Sequence, residues 1–336
     1  MDLKQHSLVL YDTEEEYAQL MTDFLKKHKE LPWEVRTYTS QDELLKEERK
    51  RVINLLVVAE SAFAEEIKAL QSTCIVVLNE SGIVRWDNVH NVNKYQQAEQ
   101  VLKALLEVYV DIADVQLPRI QTNFGTKFLG IYSPVRRCLQ TSFALTMSKM
   151  LAGTHSVLYM NFEHYAGITE LLPDRQTRDL ADLLYFLMAE KDKFYLRLQT
   201  IIQHKGDLDY IPPVKVGQNL LTVTAVEWLT LLRKISEMGE YEYVVLDLSE
   251  NMQGLFEILR MCIRVFTLTK DDRMAQSKLL QYEQMLVAHE YQDILDKTKK
   301  CRIPNIRRLP DSLEQYTRGE LADYVRREIK EIEGNR

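Results

Sequence analysis

Lys127-Phe128-Leu129-Gly130-Ile131-Tyr132-Ser133-Pro134-Val135-Arg136-Arg137-Cys138-Leu139-Gln140-Thr141-Ser142-Phe143-Ala144-Leu145 is the stretch on which the reading of this chain turns. The apolar run 128–132 is a buried-strand pattern that stops at Ser133-Pro134. A tight polar segment follows, and a helical pattern runs over 141–151. Strand, turn and helix in that order aim backbone N–H groups and a helix N-terminus at a bound anion, the layout of a phosphate-cradling loop. The glycines and the lysine that such a loop uses are missing.

Outward from this stretch the second half of the chain keeps alternating. Strands are predicted at 156–160, ending in Asn161-Phe162-Glu163, at 208–211 before Pro212-Pro213, at 243–248 with Asp247 near its end, and at 265–269. Helices are predicted over 179–188, 194–202, 224–238, 274–291 and 320–332. In the third of these, Val226, Leu229, Leu232 and Ile235 share one face. The first third has the same rhythm. Its strands are 7–12, 33–38, 53–58, 75–78 and a weak one at 89–92. Its helices are one capped by Thr13, with Tyr17, Leu20, Met21, Phe24 and Leu25 recurring, then 41–51, 64–70 and 96–109. β-Branched strands buried on both faces and alternating with helices predict an α/β chain with two doubly wound, mainly parallel sheets. The stretch 111–126, with two acids, Pro118, Gly125 and no period, reads as the linker. The domains then fall at 1–112 and 127–336, with 113–126 between them.

At 336 residues the chain has room for two ordinary domains. Hydrophobic residues make up 46% and charged ones 28%, a globular balance. A net charge of −7 argues against a broad nucleic-acid footprint. Cys74, Cys138, Cys262 and Cys301 form no C-x-x-C pair and read as reduced structural thiols. The N-terminal residues lack a signal layout and no apolar run is long enough to span a bilayer, so the expectation is a soluble, cytoplasmic protein. The histidines are scattered, and neither H-E-x-x-H nor G-x-S-x-G occurs.

The order of elements in the first third resembles the receiver domain of bacterial response regulators. Asp12 falls where receivers keep an acid after strand one, and Lys94 where they keep the lysine that pairs with a phosphoryl group. The acceptor aspartate is absent, because Ala59, Glu60 and Ser61 stand there, and Asn79 replaces the hydroxyl expected after strand four. The resemblance therefore implies a receiver that cannot be phosphorylated; against its site roles for Asp12 and Lys94, the residues themselves read as a turn cap and a solvated loop lysine, and that is the expectation.

Taken in order, the whole chain resembles the MinD/ParA class of P-loop ATPases. Within it the chain is most similar to the receiver-fused subgroup that includes the pilus-assembly and localisation proteins TadZ and CpaE. The family loop reads Lys-Gly-Gly-x-Gly-Lys-Thr-Thr. On this chain Val135 replaces the first lysine, Arg136, Arg137 and Leu139 the glycines, and Gln140 the lysine that neutralises β/γ-phosphates. Thr141 keeps the Mg²⁺-binding hydroxyl, Ser142 follows it, and the family Asp-x-Asp becomes Asn161-Phe162-Glu163. Asp247 keeps the acid on the Mg²⁺ side.

The resemblance implies Arg136, Arg137, Gln140, Thr141 and Ser142 as a degenerate phosphate loop, and Thr141 with Asp247 as the metal pair if Mg·ATP binds. Glu163 and Asp247 are the vestigial catalytic candidates, and no catalytic residue is expected to be functional. Arg136 and Arg137 either supply charge to an anion from new positions or form a solvated basic turn. Their side chains and that of Leu139 are expected to fill the phosphate's space. No cofactor is required on this reading, and ATP and Mg²⁺ are the ligands a surviving site would take.

The implied function is a non-catalytic or weakly nucleotide-binding scaffold positioning a pilus or secretion assembly at the inner face of the cytoplasmic membrane. A slow Mg·ATP-dependent dimerisation switch is the alternative. Expected partners are proteins of that assembly and a second copy of the chain, with no nucleic acid and only peripheral membrane association through partners. The basic run 297–308 reads as a solvated loop or docking patch, the last helix as core-packing, and Tyr185, Phe186, Met188, Phe194, Tyr195 and Leu198 as core.

Overall fold

The structure, a computed structural model, describes residues 6–28, 31, 33–48, 51–70, 72–86, 88–112, 125–172, 178–190, 193–304, 306 and 308–334. Most of the expected linker (113–124) lies outside them, as does Arg307 of the basic run. The chain forms two compact units, one drawn from 1–119 with 190–200 and the other from 120–189 with 201–336.

The first unit runs β1 (His6–Tyr11), α1 (Glu15–Lys27), β2 (Trp33–Tyr38), α2 (Gln41–Glu48), β3 (Ile53–Ala59), α3 (Glu65–Lys68), β4 (Ser72–Asn79), β5 (His90–Asn93) and α4 (Ala98–Ile112). All strands are parallel, in the order β2-β1-β3-β4-β5. This is the flavodoxin-like doubly wound order, in which ligands favour the carboxyl ends of β1 and β3. Alternate residues feed two cores. Leu8, Leu10, Leu55, Val57 and Val76 face one side, and Val9, Leu56, Val58 and Val77 the other. That two-sided burial is why these strands read as continuous apolar runs.

Two expectations for α1 change. Its N-cap is Glu14 rather than Thr13, and it is the Asp12 carboxylate that accepts the Glu14 N–H (2.9 Å). Leu20 is 65% exposed, because Ala18, Met21, Thr22 and Leu25 form the inner face.

The second unit contains β6 (Lys127–Tyr132), α5 (Gln140–Ala152), β7 (Val157–Asn161) and α6 (Leu180–Ala189). Helix α7 (Phe194–Ile201) comes next; its residues up to 200 count with the first unit, where Leu196 packs in the core. The second unit resumes with β8 (Gln203–Lys205), β9 (Leu208–Ile211), α8 (Ala225–Met238), β10 (Tyr243–Asp247), α9 (Leu255–Met261) and β11 (Arg264–Thr269). It closes with α10 (Arg273–Ala288), α11 (Gln292–Asp296), β12 (Thr298–Arg302) and α12 (Glu320–Gly334).

The sheet order is β12-β11-β6-β10-β7-β9-β8, parallel except for β8. Strand β6 is therefore central, and the segment after it opens at the carboxyl edge between β11 and β10. Gly130 on β6 lets α9 approach closely: a β-carbon there would stand 2.9 Å from Cys262 Sγ.

Packing corrects several sequence-based expectations. Helix α8 is fixed by a Thr224–Glu227 capping box, but its buried face is Trp228, Leu231, Leu232 and Ile235, while Val226 is 72% exposed. Of the expected aromatic stripe, Phe186, Phe194 and Leu198 are buried, and Tyr185 and Met188 are exposed. Strand β12 takes up the first half of the basic run. Its lysines point outward to carboxylates, Lys299 to Glu331 (2.9 Å) and Lys300 to Glu283 (2.5 Å), so this is a charged edge strand rather than a free loop. Helix α12 is core-packing, with Leu321, Val325 and Ile329 in the main cluster. Among the described residues no helix is long and apolar enough to cross a membrane.

Candidate functional site

The loop after β6 is organised by Ser133. Its buried hydroxyl donates to the Leu268 carbonyl (2.7 Å) and accepts the N–H of Val135 (3.1 Å) and of Arg136 (3.2 Å), with Cys138 Sγ at 2.9 Å. The chain then passes through left-handed backbone at Arg136 (φ 63°), Arg137 (φ 52°) and Leu139 (φ 63°). These are the three positions matched to glycines of the family loop. The glycine-shaped backbone is kept without the glycines, at about 1 to 2 kcal/mol of strain per residue. Leu139 is also the N-cap of α5 and offers no side-chain cap, so the first N–H groups of that helix face the loop uncapped by it.

Strain of this kind is measurable. Arg137→Gly is expected to raise unfolding free energy by about 1 kcal/mol, the left-handed penalty less the extra chain entropy of glycine. Arg136→Gly is expected to gain less, because it also removes the exposed Arg136–Glu250 pair (2.5 Å). Hydrogen exchange of β6 and α5 amides in each variant beside the wild type checks both, because it reads this unit alone.

Behind the loop the polar residues converge on Asp247, which is fully buried at the end of β10. Gln140 Nε2 donates to Asp247 Oδ1 (2.7 Å) and to the Leu248 carbonyl (2.8 Å). Tyr159 O–H donates to Asp247 Oδ2 (3.0 Å), and so does Asn161 Nδ2 (2.8 Å). The Thr141 hydroxyl lies close enough to help lower the Asp247 pKa, while three side-chain donors hold the carboxylate. A carboxylate has about four lone-pair sites, and these donors take three of them. Burial raises the Asp247 pKa, and Gln140, Thr141, Tyr159 and Asn161 oppose that rise.

Asn161 has a definite role in this network. Its amide donates to Asp247 while its Oδ1 accepts the Glu163 N–H (2.9 Å), a pairing that a second carboxylate at 161 could not make. Glu163 is half-buried at the cleft, and its pKa is raised by burial first and by Asp247 second. The Ser142 hydroxyl lies against Tyr316.

The expectation that Arg136, Arg137 and Leu139 fill the space above the loop is corrected. Arg136 turns outward to Glu250, and a cleft of about 510 Å³ remains. Its lining includes Arg136, Arg137, Gln140, Thr141, Ser142 and Glu163. What is closed is the position beneath, between Gln140 and Asp247. Sequence reasoning missed Tyr159 and Glu250. Tyr159 was within reach of period two: β7 and β10 register Tyr159 with Val245 and Asn161 with Asp247, so all four residues face one side.

These residues do not fit Mg·ATP. Three side chains already hold Asp247, and one of them, the Gln140 amide, stands where a triphosphate needs charge. Among the described residues no group of three or more His, Cys, Asp or Glu is placed to hold a metal.

The first unit places its sequence-singled residues differently from expectation. Lys94 is not a solvated loop residue: it is 2% exposed, with its ammonium 2.8 Å from Asp12. Ala59 ends β3. The next residue, Glu60, is bonded through Oε2 to the N–H groups of Glu80 (2.7 Å) and Ser81 (2.8 Å) and through Oε1 to Arg85 (3.1 Å).

Several solved structures are similar to this chain at low identity. A ParA family ATPase from Chlorobium tepidum TLS is 15% identical over 57% of this chain and 80% of that one, with a TM-score of 0.45. The MinD cell division protein of Aquifex aeolicus is 13% identical over 60% and 78%, with a TM-score of 0.42. Apo McdA from Cyanthece is 16% identical over 62% and 81%, with a TM-score of 0.42. No protein-family model matches the chain, and no curated protein matches it. The fold class is α/β, with two mainly parallel sheets.

Proposed function

We propose that this chain is a non-catalytic scaffold or localisation protein, similar in plan to TadZ and CpaE. A receiver-like domain and a MinD/ParA-like domain with a degenerate phosphate loop would hold a pilus or secretion assembly at the inner face of the cytoplasmic membrane. The observation that carries the non-catalytic reading is the commitment of Asp247 to three side-chain donors, with Gln140 in the place of the charge-bearing lysine. The first domain supports the same reading, since Ala59 ends the strand where an acceptor aspartate would be and Glu60 is tied to backbone. Partner identity follows from the resemblance alone.

A second reading, a slow Mg·ATP-dependent dimerisation switch, is favoured by one feature: the cleft above the loop stays open and two guanidinium groups stand at its rim. Phosphate release and nucleotide-dependent thermal shift on the full chain separate the two. The scaffold reading expects no release above buffer and no shift specific to Mg·ATP. Turnover that disappears in Asp247→Asn would sink it and leave the switch.

A further inference from the structure

The first unit contains a charged cluster that the reading above does not use. Lys94, between β5 and α4, is buried, and its Nζ lies 2.8 Å from Asp12 Oδ2, 2.9 Å from Glu80 Oε1 and 3.0 Å from Glu14 Oε2. Of the three N–H donors of the ammonium, hydrogen bonds go to Glu80 and Glu14, while Asp12 Oδ2 is held at ion-pair distance without a hydrogen bond of its own. Asp12 and Glu14 follow β1, and Glu80 follows β4. The Tyr17 ring packs against the same ammonium, centroid at 4.7 Å.

The cluster has outer fastenings. The Lys94 N–H donates to the Asn79 carbonyl (2.9 Å), the Asn79 side chain closes the turn to Gly82 and Ile83, and Ser61 Oγ donates to Glu80 Oε1 (3.2 Å). Three carboxylates share one ammonium, so the Lys94 pKa is raised despite its burial.

We propose that Lys94 is a cation built into the first unit, filling an oxygen-lined site made by Asp12, Glu14 and Glu80. It thereby locks the loops after β1, β4 and β5 in one arrangement without a metal ion. The ammonium is a compact point charge, which suits three converging oxygens better than a planar guanidinium would. Removing it would leave three carboxylates facing one another around a buried Asp12, an arrangement that cannot stay fully ionised. In the wild type the oxygens stand at hydrogen-bond distance from nitrogen, longer than the roughly 2.3 to 2.6 Å of Ca²⁺–oxygen bonds. No metal-ready group is present there among the described residues. The loop face is therefore set permanently, with no ion to gain or lose.

The test uses the full chain and reads hydrogen exchange of peptides covering β1 and β4, with thermal melts alongside, in chelator and in millimolar CaCl₂ at matched ionic strength. Wild type should show the same protection in both. Lys94→Met keeps the stem and removes the charge. It should melt about 10 °C or more lower in chelator and recover part of that loss with CaCl₂. Lys94→Met/Glu80→Gln, with one carboxylate neutralised, should be more stable in chelator than Lys94→Met and lose the Ca²⁺ response. If Lys94→Met does not accumulate folded, the double variant decides, because relief of repulsion must then restore folding. A wild type that responds to Ca²⁺ overturns the proposal. So does a Lys94→Met as stable as wild type, or a double variant no better than the single one.

Discussion

Asp247→Leu is expected to destabilise the second unit by about 3 to 5 kcal/mol, far beyond its change in volume. The leucine removes the acceptor shared by Gln140, Tyr159 and Asn161, and of these Tyr159 and Asn161 are buried within the sheet. Each orphaned buried donor costs roughly 1 to 3 kcal/mol. Gln140 keeps the Leu248 carbonyl and Asn161 Nδ2 keeps Tyr159, so the sum falls short of three full penalties. Asp247→Asn retains one acceptor oxygen and should cost less than half as much. Hydrogen exchange of β10 amides reads this unit alone and avoids treating a two-unit chain as one transition. Equal losses for leucine and asparagine would mean the network does not hold the site as described.

The same network has a pH signature. Because the folded-state pKa of Asp247 and of Glu163 is raised by burial, the folded protein binds these protons more tightly than the unfolded chain does. Their combined contribution therefore falls as pH rises from the ordinary carboxylate range through the raised folded values, and it is most favourable on the acid side. Glu60 acts in the opposite sense. The Ser81 N–H leads the interactions that lower its pKa, so its contribution is present above the ordinary value and is lost as pH falls through the lowered one.

How much of this was legible in the sequence depends on where the determining contacts lie. Strands such as 53–58 and 243–248 were readable because both faces are buried and each residue reports its own environment. Strands β8 and β12 were not, since Gln203-His204-Lys205 and Thr298-Lys299-Lys300-Cys301-Arg302 are short edge strands whose polar side chains read as loop. The face of α8 was misread because two overlapping apolar stripes run along it, and the bulk of Trp228 decides which turns inward.

The candidate site divides in the same way. Thr141 and Asp247 were visible as a type-conserving pair at element ends. Gln140, by contrast, was visible only as a missing charge, since its meaning as a donor depends on a partner 107 residues away. Lys94 sits between Asn93 and Tyr95, where nothing in composition signals burial; Asp12, 82 positions back, supplies the reason. Local periodicity carries the fold, and pair chemistry across distant loops carries the site.

If the Gln140–Asp247 contact and the β-carbons of the loop are what exclude Mg·ATP, reversing both should bring binding back. In Arg136→Gly/Arg137→Gly/Leu139→Gly/Gln140→Lys, the three left-handed positions receive the residue that adopts such backbone without strain. Position 140 regains a charge that can reach both Asp247 and a triphosphate. The expected result is Mg·ATP binding where the wild type shows none. At nucleotide about a hundredfold above Kd this would appear as roughly 2.7 kcal/mol of added stability. Gln140→Lys alone should not bind, because the β-carbons still hold a phosphate away from the backbone N–H groups. The triple glycine variant alone should be stabilised but remain blind to nucleotide, since its Gln140 still closes on Asp247. The two changes act on one ligand through one loop, so their effects should not add. Titration calorimetry on the four proteins distinguishes the cases, and wild-type binding as tight as that of the quadruple variant would mean that neither obstacle is the one that matters.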